Sequence, residues 1–207
     1  PRIAWNGENF GVVWKQYPAG QTIGQVWFRA VSSNGTPIGN ATMISNTPKT
    51  SDYLGIAADP IKKEWVMVWH AVSASTSKYE VYFSRISASG NVAVQPKVIV
   101  TSVDSMQYPD VTFNGKYYGV VYRRYVGITE FYVHLAEVDN NGDTKTTDTQ
   151  VSLSKSATGE YAKGQSAGIA GGINAYGIIY HENLSILSAG TTTKKSEVFF
   201  AQMCSAQ

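Results

Sequence analysis

One pattern recurs four times along the sequence, and this repetition limits the possible folds more than any other feature. An apolar run ends on an aromatic residue in each copy, and these residues are Trp14, Trp69, Tyr122 and Tyr180. The copies therefore recur every 53 to 58 residues. A fixed period of about 50 residues indicates a repeat architecture, in which each unit buries its apolar faces against its neighbours.

Each copy contains two strands joined by a tight turn, then a third strand and a weaker fourth strand. In the first copy the segments are RIAWNGENFGVVW (2–14), QVWFRAVSSNG (25–35) and TPIGNATMIS (36–45). Asn6-Gly7 and Asn114-Gly115 predict hairpin turns in which both central residues take a positive φ. Prolines, threonines and polar residues in the fourth segments are typical of an outer edge strand.

The repeats predict an all-β fold, a β-propeller of four four-stranded blades of about 50 residues each. The second strand of each copy is apolar on both faces, as expected for a blade that is covered on both sides. The fourth copy stops at Gln207, where its outer strand should begin. Either the last blade has three strands, or the chain is a fragment of a larger propeller. We expect a single domain, 1–207, with repeats at 1–52, 53–107, 108–165 and 166–207.

Composition and charge argue against several partners. The formal net charge is only +2 and the basic residues form no stripe, so we expect no nucleic acid partner. No stretch approaches the roughly 18 consecutive apolar residues that a membrane span requires. The single cysteine, Cys204, lies in a third strand and is interpreted as a small strand residue. The three histidines fall in separate copies, so we predict no metal site and no cofactor.

The units resemble a repeat of many bacterial extracellular β-propeller proteins. Its approximate form is P-x-(I/V)-A-W-N-G-x-x-(F/Y)-x-V-V-W, followed by (I/V)-(Y/W)-x-x-R-(V/I)-S-x-x-G. The first copy contains PRIAWNGENFGVVW (1–14) and the second contains VYFSRIS (81–87), whereas the fourth departs most, with IAGGINAYGIIY (169–180). The resemblance implies a propeller repeat and an extracellular or cell-surface location. It implies no particular reaction.

A basic residue follows the anchor aromatic in every copy, at Lys15, His70, Arg123 and His181. The third strands open on an amide or a carboxylate, so each basic residue would face one of these groups across a hairpin. Opposite charges in such a pair would neutralise each other and contribute roughly 0.2–1 kcal/mol. In the third copy, counting back from Asn141-Gly142 brings Tyr132 into register instead, unless a bulge intervenes. The predicted structural pairs are Lys15 with Gln25, His70 with Glu80, Arg123 with Glu130 and His181 with Glu197.

The basic position after the anchor aromatic also supports a second interpretation, in which it belongs to a ligand-binding site. The loops that follow these strands, 16–24, 71–79, 124–128 and 182–196, share one rim of the predicted disc. Tyrosine rings beside polar groups are typical of sugar sites, although Tyr17 and Tyr125 would equally serve to shield a blade edge. The candidate ligand-binding residues are Lys15, Tyr17, His70, Arg123, Arg124, Tyr125 and His181.

Three functions remain open from the sequence. The first is a secreted or cell-surface binding module, lectin-like, whose partner is a glycan. The second is assembly or adhesion through surface proteins, including self-association through the third strand of the incomplete fourth blade. The third is a glycoside-active enzyme. No inner-strand position is acidic in all copies and Asp110 is the lone inner-strand candidate, so the sequence inclines against catalysis and no catalytic residue is assigned.

Overall fold

The computed structural model describes residues 1–126, 130–152, 161–188 and 191–205, and all regular structure in these ranges is β-strand. None of the described segments is an apolar helix long enough to cross a membrane. The strands are β1 (Arg2–Trp5), β2 (Asn9–Gln16), β3 (Gln25–Ser32), β4 (Pro37–Met43), β5 (Ser51–Asp59), β6 (Glu64–Val72), β7 (Tyr79–Ile86), β8 (Val92–Val100), β9 (Ser105–Phe113), β10 (Tyr118–Val126), β11 (Glu130–Val138), β12 (Thr144–Gln150), β13 (Tyr161–Gly172), β14 (Ala175–Ser188) and β15 (Thr191–Cys204).

The strands form four antiparallel meander sheets, in the orders β1-β2-β3-β4, β5-β6-β7-β8, β9-β10-β11-β12 and β13-β14-β15. The first strands contact one another from sheet to sheet, β1 with β5, β5 with β9 and β9 with β13. Sheets that radiate from an inner row of first strands are the blades of a β-propeller, so the predicted fold class is confirmed. We number the sheets blade 1 to blade 4. In the described part of the chain, blade 4 has three strands.

The first strands start earlier than the repeat pattern suggests. β5, β9 and β13 begin at Ser51, Ser105 and Tyr161, ahead of the repeat boundaries at residues 53, 108 and 166. The early residues are paired with the second strand beyond a bulge, where the simple alternation of the sequence is interrupted.

The two Asn-Gly hairpins are present, but their geometry differs from the prediction. Gly7 and Gly115 take φ values of +92° and +94°, and neither asparagine has a positive φ. Asn6 is instead the first residue of its turn, and its Oδ1 accepts hydrogen bonds from the backbone N–H groups of Glu8 and Asn9 at 2.9 and 2.7 Å. An asparagine side chain that satisfies two turn amides explains why the residue precedes glycine here.

Both faces of β6 and of β10 pack against neighbouring blades, which explains why these second strands are apolar on both sides. One apolar cluster joins Val13 and Phe28 of blade 1 to Trp65 and Trp69 of blade 2. A Cβ added at Gly11 would lie 2.6 Å from the Trp65 ring, so glycine is needed for the ring to lie on the β2 backbone. Corresponding clusters join blade 2 to blade 3 and blade 3 to blade 4.

The outward faces of blades 1 and 4 are different. The position occupied by Val13, Val68 and Val121 is fully buried in blades 1 to 3, whereas its equivalent in blade 4, Ile179, is 54% exposed. On the opposite face, Trp14 of blade 1 is only partly buried, although its equivalents in the other blades are buried. The described residues therefore form three blade-to-blade interfaces.

Candidate functional site

Two adjoining cavities open among the inner strands of the propeller, and together we call them the axial site. They share Arg2, Tyr53 and Leu54, so these residues form the wall between them. The larger cavity, about 410 Å³, is lined by Pro1, Arg2, Trp14, Lys15, Asp52, Tyr53 and Leu54. The smaller cavity, about 230 Å³, is lined by Arg2, Tyr53, Leu54, Tyr108, Pro109, Asp110 and Ala167.

Two tyrosines of the axial site are set by equivalent bulges in β5 and β9. Tyr53 and Leu54 lie opposite Trp69 alone, because the register moves from Asp52↔His70 to Gly55↔Val68. Tyr108 and Pro109 are placed in the same way opposite Tyr122. Bulges of this kind redirect side chains and are common beside functional sites.

Both bulge tyrosines have a positive φ, a backbone conformation that is unfavourable in free energy for an L-residue. Tyr53 has φ +49° and Tyr108 has φ +56°. A left-handed conformation costs a bulky side chain roughly 1–2 kcal/mol. Strain of this kind is retained where the surrounding structure imposes it, and it concentrates at ligand sites. The strained pair is therefore the strongest structural indication of function in the described chain.

The rings of the axial site form a contiguous aromatic group. Tyr53 and Tyr108 meet edge to face with centroids 4.2 Å apart, and the Tyr53 ring lies 4.9 Å from the His70 ring. Tyr53 is half exposed, whereas His70 is buried beneath it. The Arg123 guanidinium packs 4.0 Å from the Tyr108 ring centroid and holds that ring from behind. The half-exposed ring of Tyr53 is thus held in place by its contacts with His70 and Tyr108.

An ion pair lies at the edge of the larger cavity. Lys15 Nζ is 2.7 Å from Asp52 Oδ2, and both side chains are partly exposed. The hydrogen bond to Asp52 raises the pKa of Lys15. Burial acts to raise the pKa of Asp52, but the hydrogen bonds from Lys15 and from the Tyr53 N–H hold it below its ordinary value. Asp52 is therefore an ionised carboxylate at neutral pH.

A second carboxyl group has the opposite tendency. Asp110 lies on β9 in the smaller cavity, and burial raises its pKa despite the hydrogen bond from the Val111 N–H and the charge of Arg2. Neighbouring inner strands thus carry one carboxyl whose pKa is raised and one whose pKa is lowered. Environments that push two pKa values apart are typical of an acid and a base that act together.

His70 is a neutral imidazole in this arrangement. Its Nδ1 accepts a hydrogen bond from the Tyr108 N–H at 3.0 Å, which places the ring proton on Nε2. Burial lowers the pKa of His70 to about 4, and the nearby charge of Arg123 adds to this effect while Asp52 opposes it. The imidazole therefore supports the strained Tyr108 backbone only when it is unprotonated.

This geometry predicts a pH dependence of stability. Since the folded-state pKa of His70 lies below its ordinary value of 6.5, the unfolded chain binds a proton first as the pH falls. The free energy of unfolding is expected to decrease between pH 6.5 and pH 4, by about 3 kcal/mol from this residue. Urea unfolding of wild type, His70→Gln and the control His181→Gln would measure it. A His70→Gln profile as steep as that of wild type would contradict the assignment.

The predicted basic-to-acidic pairs across β2–β3 and its equivalents are wrong in register. Each second strand continues beyond its basic residue, so the opening residue of the third strand pairs with a later position. The shift is one residue in blades 1, 2 and 4 and three residues in blade 3, and a shift by an odd number places the two side chains on opposite faces of the sheet. The basic residues lie across from valines, Lys15↔Val26, His70↔Val81, Arg123↔Val133 and His181↔Val198. The expected partners lie elsewhere, as Gln16↔Gln25, Ala71↔Glu80, Val126↔Glu130 and Glu182↔Glu197.

The two arginines of the third copy have different environments. Arg123 is stacked among aromatic rings, 4.0 Å from the centroid of Tyr108, 4.9 Å from that of Tyr125 and 4.8 Å from that of Phe131. Arg124 instead forms ion pairs with Asp104 and Asp148, with Nη2 at 2.9 Å from Asp104 Oδ2. The structure thus places Arg124 in a network that links β10 to Asp104, just before the inner strand β9, and to Asp148 of the outer strand β12.

The remaining predicted site residues divide between the axial site and other surfaces. Tyr17 is exposed and its ring centroid lies 6.0 Å from Lys15 Nζ, so it lies beside the larger cavity. Tyr125 is partly buried and accepts a hydrogen bond from Arg123. His181 lies on β14 of blade 4. The side chain of Glu130 and the loop residues 127–129 and 189–190 lie outside the described residues.

Sequence reasoning missed Arg2, Asp52, Tyr53 and Tyr108, which form much of the axial site. One signal was present in the repeats. Tyr53 and Tyr108 occur at equivalent positions 55 residues apart, each three residues before the Ile or Val that begins the regular alternation. The alternation by which strands are recognised begins only after them, because a bulge interrupts it.

Comparison with known proteins finds likeness in fold only. No protein-family model matches the sequence, and no match is found among curated proteins. An endo-arabinase from Bacteroides thetaiotaomicron is similar with 12% identity and a TM-score of 0.53, over 95% of this chain and 72% of that one. An α-L-arabinofuranosidase from Lactobacillus brevis has 10% identity and a TM-score of 0.52, over 92% and 69%. A GH43 endo-arabinanase from Bacillus licheniformis has 9% identity and a TM-score of 0.50, over 95% and 71%.

These structures correct the inclination against an enzyme. All three are named as glycoside-cleaving enzymes, so the fold of this chain also occurs in enzymes of that kind. The expectation against catalysis rested on the lack of an acidic residue shared by all copies. Carboxyl groups can also come from different positions of different blades, as Asp52 of β5 and Asp110 of β9 do.

Proposed function

We propose that the protein acts on carbohydrate by binding a glycan at the axial site, with Tyr53 as the ring on which a sugar stacks. The observation that carries the proposal is the pair of strained tyrosines at the mouth of the two cavities. A flat, fixed and half-exposed aromatic face suits the apolar face of a pyranose or furanose ring. An extracellular or cell-surface location belongs to the proposal and rests on the resemblance of the repeats.

The polar groups around Tyr53 supply the hydrogen bonds that a sugar requires. Arg2 and Lys15 offer donors, and Asp52 and Asp110 offer acceptors, all at the walls of the two cavities. A mostly apolar floor with a few convergent polar groups is the usual composition of a small-ligand site. Hydroxyl-rich ligands fit this mixture of donors and acceptors better than purely apolar ligands do.

The proposal is tested by calorimetric titration with arabino-oligosaccharides, followed by a panel of other neutral oligosaccharides. Tyr53→Ala is expected to weaken binding at least tenfold, because a central aromatic contact contributes about 2 kcal/mol or more. Tyr17→Ala is the matched control, since Tyr17 is equally exposed but lies beside the cavities. Binding that is lost in Tyr17→Ala and kept in Tyr53→Ala would move the site to the rim loops, and no binding across the panel would refute the proposal.

A second candidate function, glycoside hydrolysis at the same site, is favoured by the two carboxyl groups. Asp110, with its raised pKa, is suited to protonate a leaving-group oxygen, and Asp52, with its lowered pKa, is suited to act as the base or nucleophile. Lys15 would hold Asp52 in the ionised form through the ion pair. Tyr53 lies in both cavities and would position the sugar between the two carboxyl groups.

A further inference from the structure

A row of aromatic side chains leads obliquely from the axial site outward across blade 3, and we call it the distal row. Its members lie on successive strands of that blade, Tyr108 on β9, Tyr125 on β10 and Phe131 on β11. Since β9 is the innermost strand of the sheet, the row runs away from the axis. Neighbouring strands lie about 4.8 Å apart, so each strand moves the row outward by a step comparable to one sugar unit of a chain.

One arginine holds the three rings of the distal row together. The Arg123 guanidinium lies 4.0 Å from the ring centroid of Tyr108, 4.9 Å from that of Tyr125 and 4.8 Å from that of Phe131. Its Nη2 also donates a hydrogen bond to the Tyr125 hydroxyl, and the Tyr125 and Phe131 centroids are 5.3 Å apart. The ring planes are therefore fixed before a ligand arrives, which lowers the entropy that binding must cost.

The distal row is continuous with the axial site. Tyr108 lines the smaller cavity and meets Tyr53 edge to face, with centroids 4.2 Å apart. Tyr53 is half exposed, and Tyr125 and Phe131 are partly exposed. A ligand chain that stacks on Tyr53 can therefore reach further accessible rings without leaving the protein surface.

The blade fold itself does not require the two outer rings. Tyr125 and Phe131 lie opposite each other on β10 and β11. At the equivalent positions, three residues beyond the anchor aromatic, the opposed pairs are Val72↔Tyr79 in blade 2 and Asn183↔Ser196 in blade 4. Aliphatic, amide and hydroxyl residues occur at these positions, so an aromatic pair is not needed to complete a blade.

We propose that the distal row is a second sugar-binding surface, so that the ligand of the axial site is an extended oligosaccharide chain and not a single sugar. This inference rests on the proposed function, because it continues the same ligand outward from Tyr53. One unit of the chain stacks at Tyr53, and a later unit packs its apolar face on Tyr125. A second contact within one ligand adds to the affinity because its binding is intramolecular, so the row selects for chain length.

Calorimetric titration with arabino-oligosaccharides, from disaccharide to hexasaccharide, tests this proposal; if none of them binds, the series is built from the sugar of the panel that does. Wild-type affinity is expected to rise roughly tenfold between disaccharide and tetrasaccharide, the size of one aromatic contact. Tyr125→Ala should abolish this gain and leave disaccharide binding unchanged, whereas Tyr125→Phe keeps the ring and should keep the gain. Tyr17→Ala, an exposed tyrosine of blade 1, is the matched control and should also keep the gain.

Wild type alone can overturn the proposal, since an affinity that does not rise beyond the disaccharide leaves no work for the distal row. Equal weakening of both lengths in Tyr125→Ala would show that Tyr125 only supports the fold, and a gain lost in Tyr17→Ala would direct the chain across blade 1; either result also overturns it. Failure of the proposed function gives a different outcome, namely no binding at any length or binding at every length that Tyr53→Ala leaves unchanged.

Discussion

Replacement of Trp65 by alanine is expected to lower the free energy of unfolding by about 3–5 kcal/mol. The Trp65 side chain is fully buried between blades 1 and 2, its ring centroid lies 5.3 Å from that of Phe28, and its Nε1–H donates to the Ala4 carbonyl at 3.2 Å. Truncation removes one of the two fully buried tryptophans of that interface and leaves the Ala4 carbonyl without this donor. A loss of this size is a large part of the stability of a typical domain, about 5–15 kcal/mol.

Urea unfolding at neutral pH measures the effect, and Trp5→Ala is the control. Trp5 is 45% exposed and contacts Phe10 with ring centroids 4.7 Å apart, so its truncation is expected to cost about 1 kcal/mol or less. If Trp65→Ala and Trp5→Ala lowered the free energy of unfolding by equal amounts, the blade 1–blade 2 interface would not depend on Trp65.

The second candidate function predicts that replacement of Asp110 by asparagine reduces glycoside hydrolysis by about 10²–10⁴-fold, the usual contribution of a general acid. Asparagine keeps the shape and the hydrogen bond from Val111 but has no proton to transfer. Glycan binding should change little, so the loss appears in kcat rather than in KM. The alkaline limb of the rate profile should also disappear, because hydrolysis falls as the pH rises through the raised pKa of Asp110.

Asp143→Asn is the matched control for this measurement. Asp143 is an exposed aspartate that pairs with Lys97 at 2.8 Å on the surface, and its change is expected to leave hydrolysis intact. Rates that are unaltered in Asp110→Asn would exclude Asp110 as the acid. A wild-type protein that binds glycans but cleaves none of them would reject the second candidate function and retain the first.

The architecture was largely accessible from the sequence because it depends on patterns that repeat. The anchors Trp14, Trp69, Tyr122 and Tyr180 mark four second strands with two apolar faces, and only stacked blades bury both faces. The Asn-Gly turns were located correctly for the same reason. Their conformation was not, since the side chain of Asn6 changes which residue takes the positive φ.

The site was harder to predict because it depends on departures from the pattern. The sequence predicts a recurring basic set of Lys15, His70, Arg123 and His181. Two of the four lie by the strained tyrosines, His70 against Tyr53 and Arg123 against Tyr108. Their partners could not be predicted, since a one-residue difference in strand length reverses the face of every side chain. Tyr53 and Tyr108 could not be predicted as site residues because each lies in a β-bulge. A bulge leaves no mark in the alternation of apolar and polar residues from which strands are predicted.

The central claim is that a glycan binds at the axial site. A crystal structure of the protein in complex with an arabino-oligosaccharide tests it most directly. The account predicts a sugar ring stacked on Tyr53, within hydrogen-bonding distance of Asp52 or Asp110 and of Arg2 or Lys15. A sugar that occupies the rim by Tyr17 or Tyr125 instead, with the two axial cavities holding only solvent, would contradict it.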